Sequence, residues 1–387
     1  MLKSEKIMTA IGIAALISVS ASAQESGWTD LFNGKDLSGW TGMNDVKFTV
    51  DPEKKELHLV EGMGWLRTDA MVDDFILELE AKPLVEGYDS GIFFRANLEG
   101  KPWPDKGYQI NLRDRGMGDL VVGYKAILKA RMEPEDFGTW RKIVLRAERQ
   151  KASLQVDGEP IWEKDDLEPG RGFIGIQAEN REFLFRNVRI QELGYTNLLE
   201  GKERDFKHLK VKEGDPQAWS LNDEGVLVCK GQGGGWIGTV ENNYSDFDLK
   251  LEFNVPKEGN SGVFIRHPGQ GDGAYAGMEI QVIDDDATHW GKLQDWQMTG
   301  SIYREYAPSV RVFRKAGEWQ TMEIAAEKNF IRVYLNGIEI VNADLDKEKP
   351  SEHPLKLRPR QGYLGFQNYD GAIQYRNVRV KRLAKPE

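Results

Sequence analysis

The feature that most constrains the fold of this chain is an internal duplication. Residues 89–95 (DSGIFFR) match residues 260–266 (NSGVFIR), and further pairs of blocks keep the same order in both halves. These pairs are residues 74–81 and 246–253, 138–142 and 317–321, 156–161 and 335–340, 172–177 and 362–367, and 185–189 and 375–379. Because repeated sequence folds into repeated structural units, we predict two tandem copies of one domain. Copy 1 spans residues 24–193 and copy 2 spans residues 194–387.

Both copies are predicted to be built from β-strands. Residues 75–81 and 331–335 alternate apolar and polar side chains, which is typical of strands with one buried face. The pairs Asp157-Gly158 and Asn336-Gly337 stand at matching positions and favour tight hairpins. We therefore predict an all-β chain of two sandwich or jelly-roll domains, in which paired sheets bury one face of each strand.

Residues 1–23 have the three parts of a secretory signal peptide. A short basic segment precedes an apolar run over residues 7–19, and residues 21–23 (ASA) offer small side chains for cleavage. The run is too short to span a bilayer comfortably, and no cysteine follows the cleavage site to carry a lipid. We expect cleavage before Gln24, a periplasmic or secreted protein, and no membrane insertion afterwards. An uncleaved anchor is the alternative.

Composition narrows the possible partners. The chain has one cysteine, Cys229, so an intramolecular disulfide is impossible and packing alone must hold the fold. The formal net charge is −10, and an acidic surface disfavours binding to nucleic acid or to anionic membranes. The charge places no restriction on a neutral carbohydrate as the partner.

One strand of copy 2 carries a set of polar side chains that could perform chemistry. Glu279 and Gln281 are two residues apart and leave the same face of a predicted strand. Asp284 would join them if a bulge intervened. Arg266 alternates with apolar neighbours and is expected on the same face. A solvated strand face, and a structural ion pair of Arg266 with one of these carboxylates, are the alternatives.

Two other groups of residues in copy 2 are candidates for ligand binding. His267, His289 and the run Asp284-Asp285-Asp286 are candidates for a divalent cation, although the run lacks the glycine of an EF-hand loop, and no spacing marks a zinc site. A solvated loop is the alternative. The tryptophans predicted to lie in loops offer faces for sugar rings. They are Trp103, Trp290 and Trp296.

The repeated blocks resemble a known family. Residues 28–40 (WTDLFNGKDLSGW) are similar to the opening signature of the 3-keto-disaccharide hydrolases, and copy 2 supplies motifs similar to the rest of that family's pattern. These are NSGxxxR at 260–266, ExQxxD at 279–284, TGSxY at 299–303, GxW at 317–319, NG at 336–337 and RNVR at 376–379. The resemblance implies a concanavalin-like jelly roll. It also implies activity on glycosides already oxidised to a ketone at C3 of the sugar, in a periplasmic sugar-degradation pathway.

The two copies have diverged unequally. Copy 1 keeps the opening signature, but Gln109 stands where copy 2 has Glu279 and Val121 stands where copy 2 has Tyr303. Arg95 survives in copy 1. A carboxylate can take a proton and an amide cannot. We infer that copy 2 is the active copy and that copy 1 is a support or binding domain.

The resemblance suggests a reaction, and we assign roles to the candidate residues by inference. A ketone at C3 acidifies the proton at C2, which Glu279 would remove as general base. Arg266 or a bound cation would stabilise the enolate, His267 or Tyr303 would protonate the leaving group, and water would then add. The catalytic candidates are Glu279, Arg266, His267, Asp284 and Tyr303. The substrate-binding candidates are Gln281, Asn260, Trp290, Trp296, Arg95 and Trp103.

Two other functions remain open at this point. An ordinary retaining glycosidase holds two carboxyl groups about 5 Å apart, but Gln281 provides an amide where that pattern needs a carboxylate. A tandem carbohydrate-binding protein without catalysis would gain avidity from duplication and would need no acid–base pair.

Overall fold

The structure is a computed structural model that describes residues 27–132, 137–347 and 351–383. The predicted signal peptide at residues 1–23 lies outside the described residues. Within the described part of the chain, no helix has the length and apolar character needed to cross a membrane.

The described residues of copy 1 form thirteen strands. Their side chains follow the predicted alternation: along residues 75–83 every second side chain is buried and those between are partly exposed. The strands are β1 (Thr29–Asp30), β2 (Trp40–Asp51), β3 (Glu56–Val72), β4 (Phe75–Pro83), β5 (Gly91–Ala96), β6 (Tyr108–Asn111), β7 (Leu120–Val122), β8 (Lys125–Leu128), β9 (Arg141–Glu148), β10 (Lys151–Val156), β11 (Glu159–Lys164), β12 (Gly172–Glu179) and β13 (Phe183–Glu192).

In copy 2, the part of the chain that the structure describes forms fifteen strands and one short helix. The strands are β14 (Thr196–Asn197), β15 (Gly201–Lys202), β16 (Asp205–Phe206), β17 (Leu209–Glu213), β18 (Trp219–Leu221), β19 (Leu227–Cys229), β20 (Trp236–Thr239), β21 (Phe247–Asn254), β22 (Asn260–His267), β23 (Met278–Ile283), β24 (Trp319–Glu327), β25 (Phe330–Leu335), β26 (Ile338–Asp344), β27 (Tyr363–Gln367) and β28 (Gln374–Arg382). Helix α1 is Gly273–Ala276, and single 3-10 turns occur at Pro216–Ala218, Asp295–Gln297 and Leu355–Leu357.

Each copy folds its strands into two layers around its own apolar core. In copy 2 one layer has the order β18-β19-β28-β21-β24-β25-β26 and the other has the order β17-β20-β27-β22-β23. In copy 1 the long β3 pairs with β13 near residues 57–59 and with β12 over residues 63–72, so the two layers join into one continuous sheet. Separate clusters of buried side chains fill the two interiors. The predicted all-β fold, two tandem jelly-roll sandwiches, is confirmed.

The two copies are joined by buried polar contacts. Lys250 of β21 is only 1% exposed to solvent. Its ammonium donates hydrogen bonds to the Met71 carbonyl (2.6 Å) and to the Glu192 carboxylate. Lys381 forms an ion pair with Asp73 at 2.6 Å. Charges taken out of water need such partners, because an unpaired buried charge costs several kcal/mol. These pairs fix how the outer face of copy 2's larger sheet meets copy 1.

A hairpin of copy 2 reaches onto the sheet of copy 1. The guanidinium of Arg67 on β3 donates to the carbonyl of Asn336 (3.0 Å) and lies 4.8 Å from the centre of the Phe173 ring. Asp69 accepts from Arg314 at 2.6 Å. The β25–β26 hairpin therefore covers one end of the outer face of the copy 1 layer that contains β12 and the second half of β3.

Candidate active site

The candidate site of copy 2 lies on the outer face of the five-stranded layer, which we call the cleft face. Strand alternation sends Val263, Ile280 and Phe366 into the core and leaves their neighbours on the cleft face. An aromatic floor forms there, because the Trp236 ring lies 5.7 Å from Phe264 and 6.2 Å from Tyr363. Trp236 and Phe264 are buried, and the ring of Tyr363 is partly exposed.

Glu279 lies at the centre of the cleft face. A methyl group at Gly262 would be 2.1 Å from its Oε1, so the glycine is what allows the carboxyl to lie across the neighbouring strand. The side chain is buried, and burial, with a smaller contribution from the nearby charge of Asp272, raises the pKa of Glu279 to about 8. No cation among the described residues forms an ion pair with it. Such a carboxyl is poised to exchange a proton near neutral pH.

Hydrogen-bonding side chains lie beside Glu279 towards one end of the cleft face. The amide of Gln281 donates to the Asn260 side chain at 3.4 Å, on neighbouring strands. Gln367 lies opposite Trp236 in the β20–β27 pairing and leaves β27 on the cleft face. Amides both donate and accept, as recognition of sugar hydroxyls requires.

A bulge decides which of two adjacent residues reaches the cleft face. The pairing of β22 with β27 shifts register between Phe264 and His267, and Arg266 adopts a φ of +50°. His267 therefore stands on the cleft face, with its ring 4.6 Å from Trp236 and 5.5 Å from Phe264. Bulges re-aim side chains in this way next to functional sites.

Arg266 is turned away from Glu279, and the prediction that the two share a face is wrong. Its guanidinium is fully buried and donates to the carbonyls of Ser245 (2.6 and 2.9 Å) and Lys328 (3.1 Å). The closest carboxylate is that of Asp246, at 3.6 Å. Arg266 thus links the loop before β21 to the turn between β24 and β25. Its guanidinium is not available to an enolate on the cleft face.

His267 is held as a neutral ring. Its Nδ1 accepts a hydrogen bond from the Gly269 N–H at 3.0 Å, which leaves the ring proton on Nε2. Burial lowers the pKa of His267 to about 4. The buried Nε2 has no hydrogen-bond partner among the described residues. A buried donor without a partner is unfavourable by about 1–3 kcal/mol and is often completed by a ligand.

Tyr303 and Trp296 flank Glu279 on the outer side of β23. The Tyr303 N–H donates to the Glu279 carbonyl at 2.9 Å, and its ring meets Trp296 edge to face at 5.3 Å. Trp290 lies towards the Asn260 end, 5.7 Å from the exposed ring of Tyr369. The structure therefore places both predicted tryptophans of copy 2 along the borders of the cleft face.

Two of the three consecutive aspartates, Asp284 and Asp285, accept hydrogen bonds from the backbone. Asp284 accepts from the N–H groups of Glu258 (2.9 Å) and Asp286 (3.1 Å), and Asp285 accepts from the N–H of Thr299 (2.8 Å). The prediction that Asp284 joins Glu279 is wrong, because the chain turns after β23. No group of three or more His, Cys, Asp or Glu side chains with metal-binding geometry occurs in the described ranges.

The equivalent face of copy 1 has lost this chemistry. Gln109 lies across Gly91, as Glu279 lies across Gly262, but its amide is bonded to Gln177. Ala96 follows Arg95 where His267 follows Arg266. Val121 pairs with Gln109, at the place where Tyr303 meets Glu279.

Two residues of copy 1 that we predicted to bind substrate are structural. Arg95 has a φ of +52° and donates to the Glu168 carbonyl at 2.9 Å, so it repeats the role of Arg266. Trp103 is 9% exposed, packs with Trp65 and Phe173, and donates to a backbone carbonyl. Its prediction as a sugar platform is wrong, because its loop folds inwards.

Sequence analysis did not single out several residues of the cleft. They are Trp236, Tyr275, Arg304 and Gln367. Trp236 and Gln367 could have been found, since Trp65 and Gln177 match them in copy 1. Tyr275 and Arg304 lie in segments without a clear counterpart in copy 1, and only the folded chain brings them to Glu279.

Comparison with known proteins identifies the family. A family model described as a 3-keto-alpha-glucoside-1,2-lyase-like domain matches residues 27–191 and again residues 194–381. The chain belongs to this family, with one domain in each copy, which confirms the resemblance seen in its motifs.

Individual relatives are more distant. A 3-keto-disaccharide hydrolase of Bacteroides thetaiotaomicron is 24% identical over 230 residues, covering 49% of this chain and 79% of the relative. A solved structure of a candidate glycosyl hydrolase from Parabacteroides distasonis is 30% identical, covers 49% of this chain and 94% of its own, and has a TM-score of 0.43. A second from the same organism is 27% identical, covers 49% and 99%, and has a TM-score of 0.43.

Proposed function

We propose that copy 2 cleaves 3-keto-glycosides by eliminating the leaving group across C1 and C2 of the sugar. The observation that carries this proposal is the buried carboxyl of Glu279, which forms no ion pair with any described residue and has a pKa of about 8. Family membership supports it, because the family description names a 1,2-lyase acting on 3-keto-glucosides. The distant relative from B. thetaiotaomicron carries the name of a hydrolase of 3-keto-disaccharides.

Glu279 is the general base in this proposal. The C3 ketone makes the C2 proton acidic, and the ionised carboxylate takes that proton. The pair of electrons from the C2–H bond forms the C2–C3 enolate. A base with a pKa near the working pH combines a useful ionised fraction with adequate basicity.

His267 takes the role that we first gave to Arg266. A neutral imidazole can donate its Nε2–H to the oxygen that becomes the enolate, as neutral histidines do in other proton-abstracting enzymes. The unpartnered buried Nε2 supports this role. The low pKa of His267 keeps the ring neutral, so it acts as a hydrogen-bond donor and not as a strong acid.

The remaining steps complete a net hydrolysis. When the enolate collapses, the ketone at C3 forms again. The electron pair of the C2–C3 double bond becomes the C1–C2 double bond, and the bond from C1 to the leaving oxygen breaks. That oxygen takes a proton from Tyr303 or from water. Water then adds its oxygen to C1 and a proton returns to C2. Tyr303 is chosen because it borders Glu279 and the cleft face.

The structure gives less support to a retaining glycosidase. That reaction needs a second carboxyl about 5 Å from the first. Gln281 supplies an amide, and Asp284 is occupied by two backbone N–H groups. A non-catalytic carbohydrate-binding protein remains an outcome of the test below.

We also propose that the protein is exported to the periplasm or secreted. The proposal rests on the signal-peptide pattern of residues 1–23. N-terminal sequencing of the protein from cell fractions tests it. A mature chain that begins at Gln24 in the periplasm or medium supports export, and an intact N-terminus in the cytoplasm contradicts it.

The decisive experiment compares methyl 3-keto-α-glucoside with methyl α-glucoside for the wild type, for Glu279→Gln and for Glu53→Gln, a matched change at an exposed carboxylate. We expect turnover of the keto substrate alone, with kcat/KM rising as the pH approaches about 8, and loss of turnover in Glu279→Gln only. Equal cleavage of both glycosides would favour a glycosidase. Binding without turnover would favour a carbohydrate-binding protein.

A chelator arm of the same experiment addresses the divalent cation. Activity is measured after dialysis against EDTA and again after Mg²⁺ or Ca²⁺ is added back. Unchanged activity leaves enolate stabilisation to His267. A loss that the cation restores would assign that role to a bound metal ion.

A further inference from the structure

Arg358 connects three segments that surround one end of the cleft face. Its buried guanidinium donates to the carbonyls of Ala274 (3.0 Å) and Gly277 (3.2 Å) and to the carbonyl of His353 (2.9 and 3.1 Å). It also forms an ion pair with Glu305 at 3.0 Å, with both side chains at most 5% exposed. A planar guanidinium suits such a junction, because its donors have a fixed geometry.

Each of the three segments carries a side chain that faces the others. Helix α1 carries Tyr275, whose ring stacks on the exposed ring of His353 with centres 4.2 Å apart. The segment before Glu305 carries Arg304, whose guanidinium lies 6.0 Å from the Tyr275 ring and 5.1 Å from the Trp296 ring. The result is a partly exposed aromatic group with a cation between its members.

This aromatic group lies next to Glu279. Burial raises the pKa of Tyr275, Arg304 opposes that rise, and the negative charges of Tyr303, Asp272 and Glu279 add to it. Gly273 of α1 packs against the Phe264 ring, and Phe264 pairs with Glu279 across β22 and β23, so α1 and the carboxyl are neighbours. The amides of Gln281 and Asn260 lie towards the opposite end. Glu279 therefore lies between an end with hydrogen-bonding amides and an end with aromatic rings.

The described residues of copy 1 form no equivalent of this group. Between β5 and β6 its loop carries Trp103, which is buried against the floor of its own layer. Between β22 and β23 copy 2 carries Tyr275, which remains partly exposed. Arg358 binds the carbonyl ends of α1, whose Gly273 packs against the Phe264 ring, and Tyr275 stays partly exposed at the place that the buried Trp103 occupies in copy 1.

We propose that Tyr275, His353 and Trp296 form a subsite for the leaving group of the substrate, a second sugar ring. Arg358 is the positioning residue of this subsite. The inference rests on the proposed function, which places bond cleavage beside Glu279. The amide end then holds the oxidised ring through its hydroxyls, and the aromatic end packs on the apolar face of the second ring.

The test uses two substrates that differ in the leaving group. These are methyl 3-keto-α-glucoside and a 3-keto disaccharide of two α-linked glucose units. We expect Tyr275→Ala to raise KM for the disaccharide about tenfold more than for the methyl glycoside, with kcat changed little, because one aromatic contact is removed. Arg358→Lys should give the same selective rise in KM, since lysine keeps the charge but lacks the planar set of donors that binds all three segments at once.

A control and a second variant keep the test interpretable. Tyr124→Ala removes an exposed tyrosine of copy 1 and should alter neither KM. Tyr275 is partly exposed, so Tyr275→Ala gives an answer even if Arg358→Lys fails to fold. Equal effects of Tyr275→Ala on both substrates, or no effect on either, would overturn the subsite and leave the proposed function intact. A wild type that cleaves neither substrate would overturn both.

Discussion

The two copies of the domain share a framework and differ at the face that could perform chemistry. Trp65 and Phe93 in copy 1 repeat the edge-to-face pair of Trp236 and Phe264 in copy 2, at 5.8 and 5.7 Å. A glycine under Gln109 repeats the glycine under Glu279. The comparison teaches that the floor of the site belongs to the fold, whereas the reactive groups are a few side chains placed on it.

The second difference is which side chains lie over the face. In copy 1, Trp103 and Phe173 fill part of the outer face, and the hairpin of copy 2 covers Arg67 beside them. In copy 2, segments tied by Arg358 lie against the face and leave Tyr275 and Trp296 partly exposed there. We expect copy 1 to act as a support for copy 2, since Trp103, Phe173 and Arg67 of copy 1 are used for packing.

The largest expected effect breaks the comparison at its centre. Glu279→Gln gives copy 2 the residue type of copy 1, and we expect kcat/KM for a 3-keto-glycoside to fall by about a thousandfold, because the base is lost. Gln109→Glu, the reverse change, should not create activity in that background, because copy 1 has Ala96 in place of the histidine. Measurable turnover by the double variant would contradict the assignment of copy 2.

The next effect concerns stability and not activity. Trp103→Ala removes a buried ring from copy 1, and we expect the free energy of unfolding to fall by about 3–5 kcal/mol. KM for the substrate should stay the same, because Trp103 contacts the floor of copy 1 and no cleft residue of copy 2. Denaturant unfolding and steady-state kinetics measure the two quantities. A rise in KM without loss of stability would restore Trp103 as a binding residue.

A third effect separates the two copies by pH. The pKa of Glu279 is about 8 in the folded protein and near 4.5 when unfolded, so between these values only the unfolded chain loses its proton. Stability from this carboxyl is therefore present below pH 4.5 and is lost as the pH rises through 8. Between pH 6 and pH 9, the free energy of unfolding of the wild type should therefore fall by about 3 kcal/mol relative to that of Glu279→Gln.

Gln109→Ala is the matched control for that measurement. It alters the equivalent position of copy 1 without an ionisable group, so its difference from the wild type should be the same at both pH values. If the curves of Glu279→Gln and the wild type stayed parallel, the raised pKa would be excluded.

The smallest effect sharpens the comparison at the bulge. His267→Ala gives copy 2 the residue of copy 1, and we expect kcat to fall by about a hundredfold with little change in KM, as for loss of one donor to a developing oxyanion. His289→Ala is the control, since His289 lies beside Trp290 at the border of the cleft face. A rise in KM with unchanged kcat would show that His267 binds the substrate and does not stabilise the enolate.

Much of the fold could be predicted, and less of the site. The repeats and the alternation of residues 75–81 predicted two β-sandwiches. The two-residue period of a strand predicted that Glu279 and Gln281 share one face. Arg266 was misplaced because a bulge changes that period by one residue, which exchanges it with His267. Asp284 was misplaced because its strand ends at Ile283.

The sequence by itself determined the class of fold, the duplication, the family and the identity of the carboxyl Glu279 on the cleft face. These depend on local period and on residue type, which are written along the chain. Tertiary structure decided which neighbour of a bulge faces the cleft, whether a loop tryptophan packs inwards or outwards, and which segments Arg358 brings to Glu279. Those outcomes depend on contacts between residues far apart in sequence, where packing and burial of charge outweigh local preference.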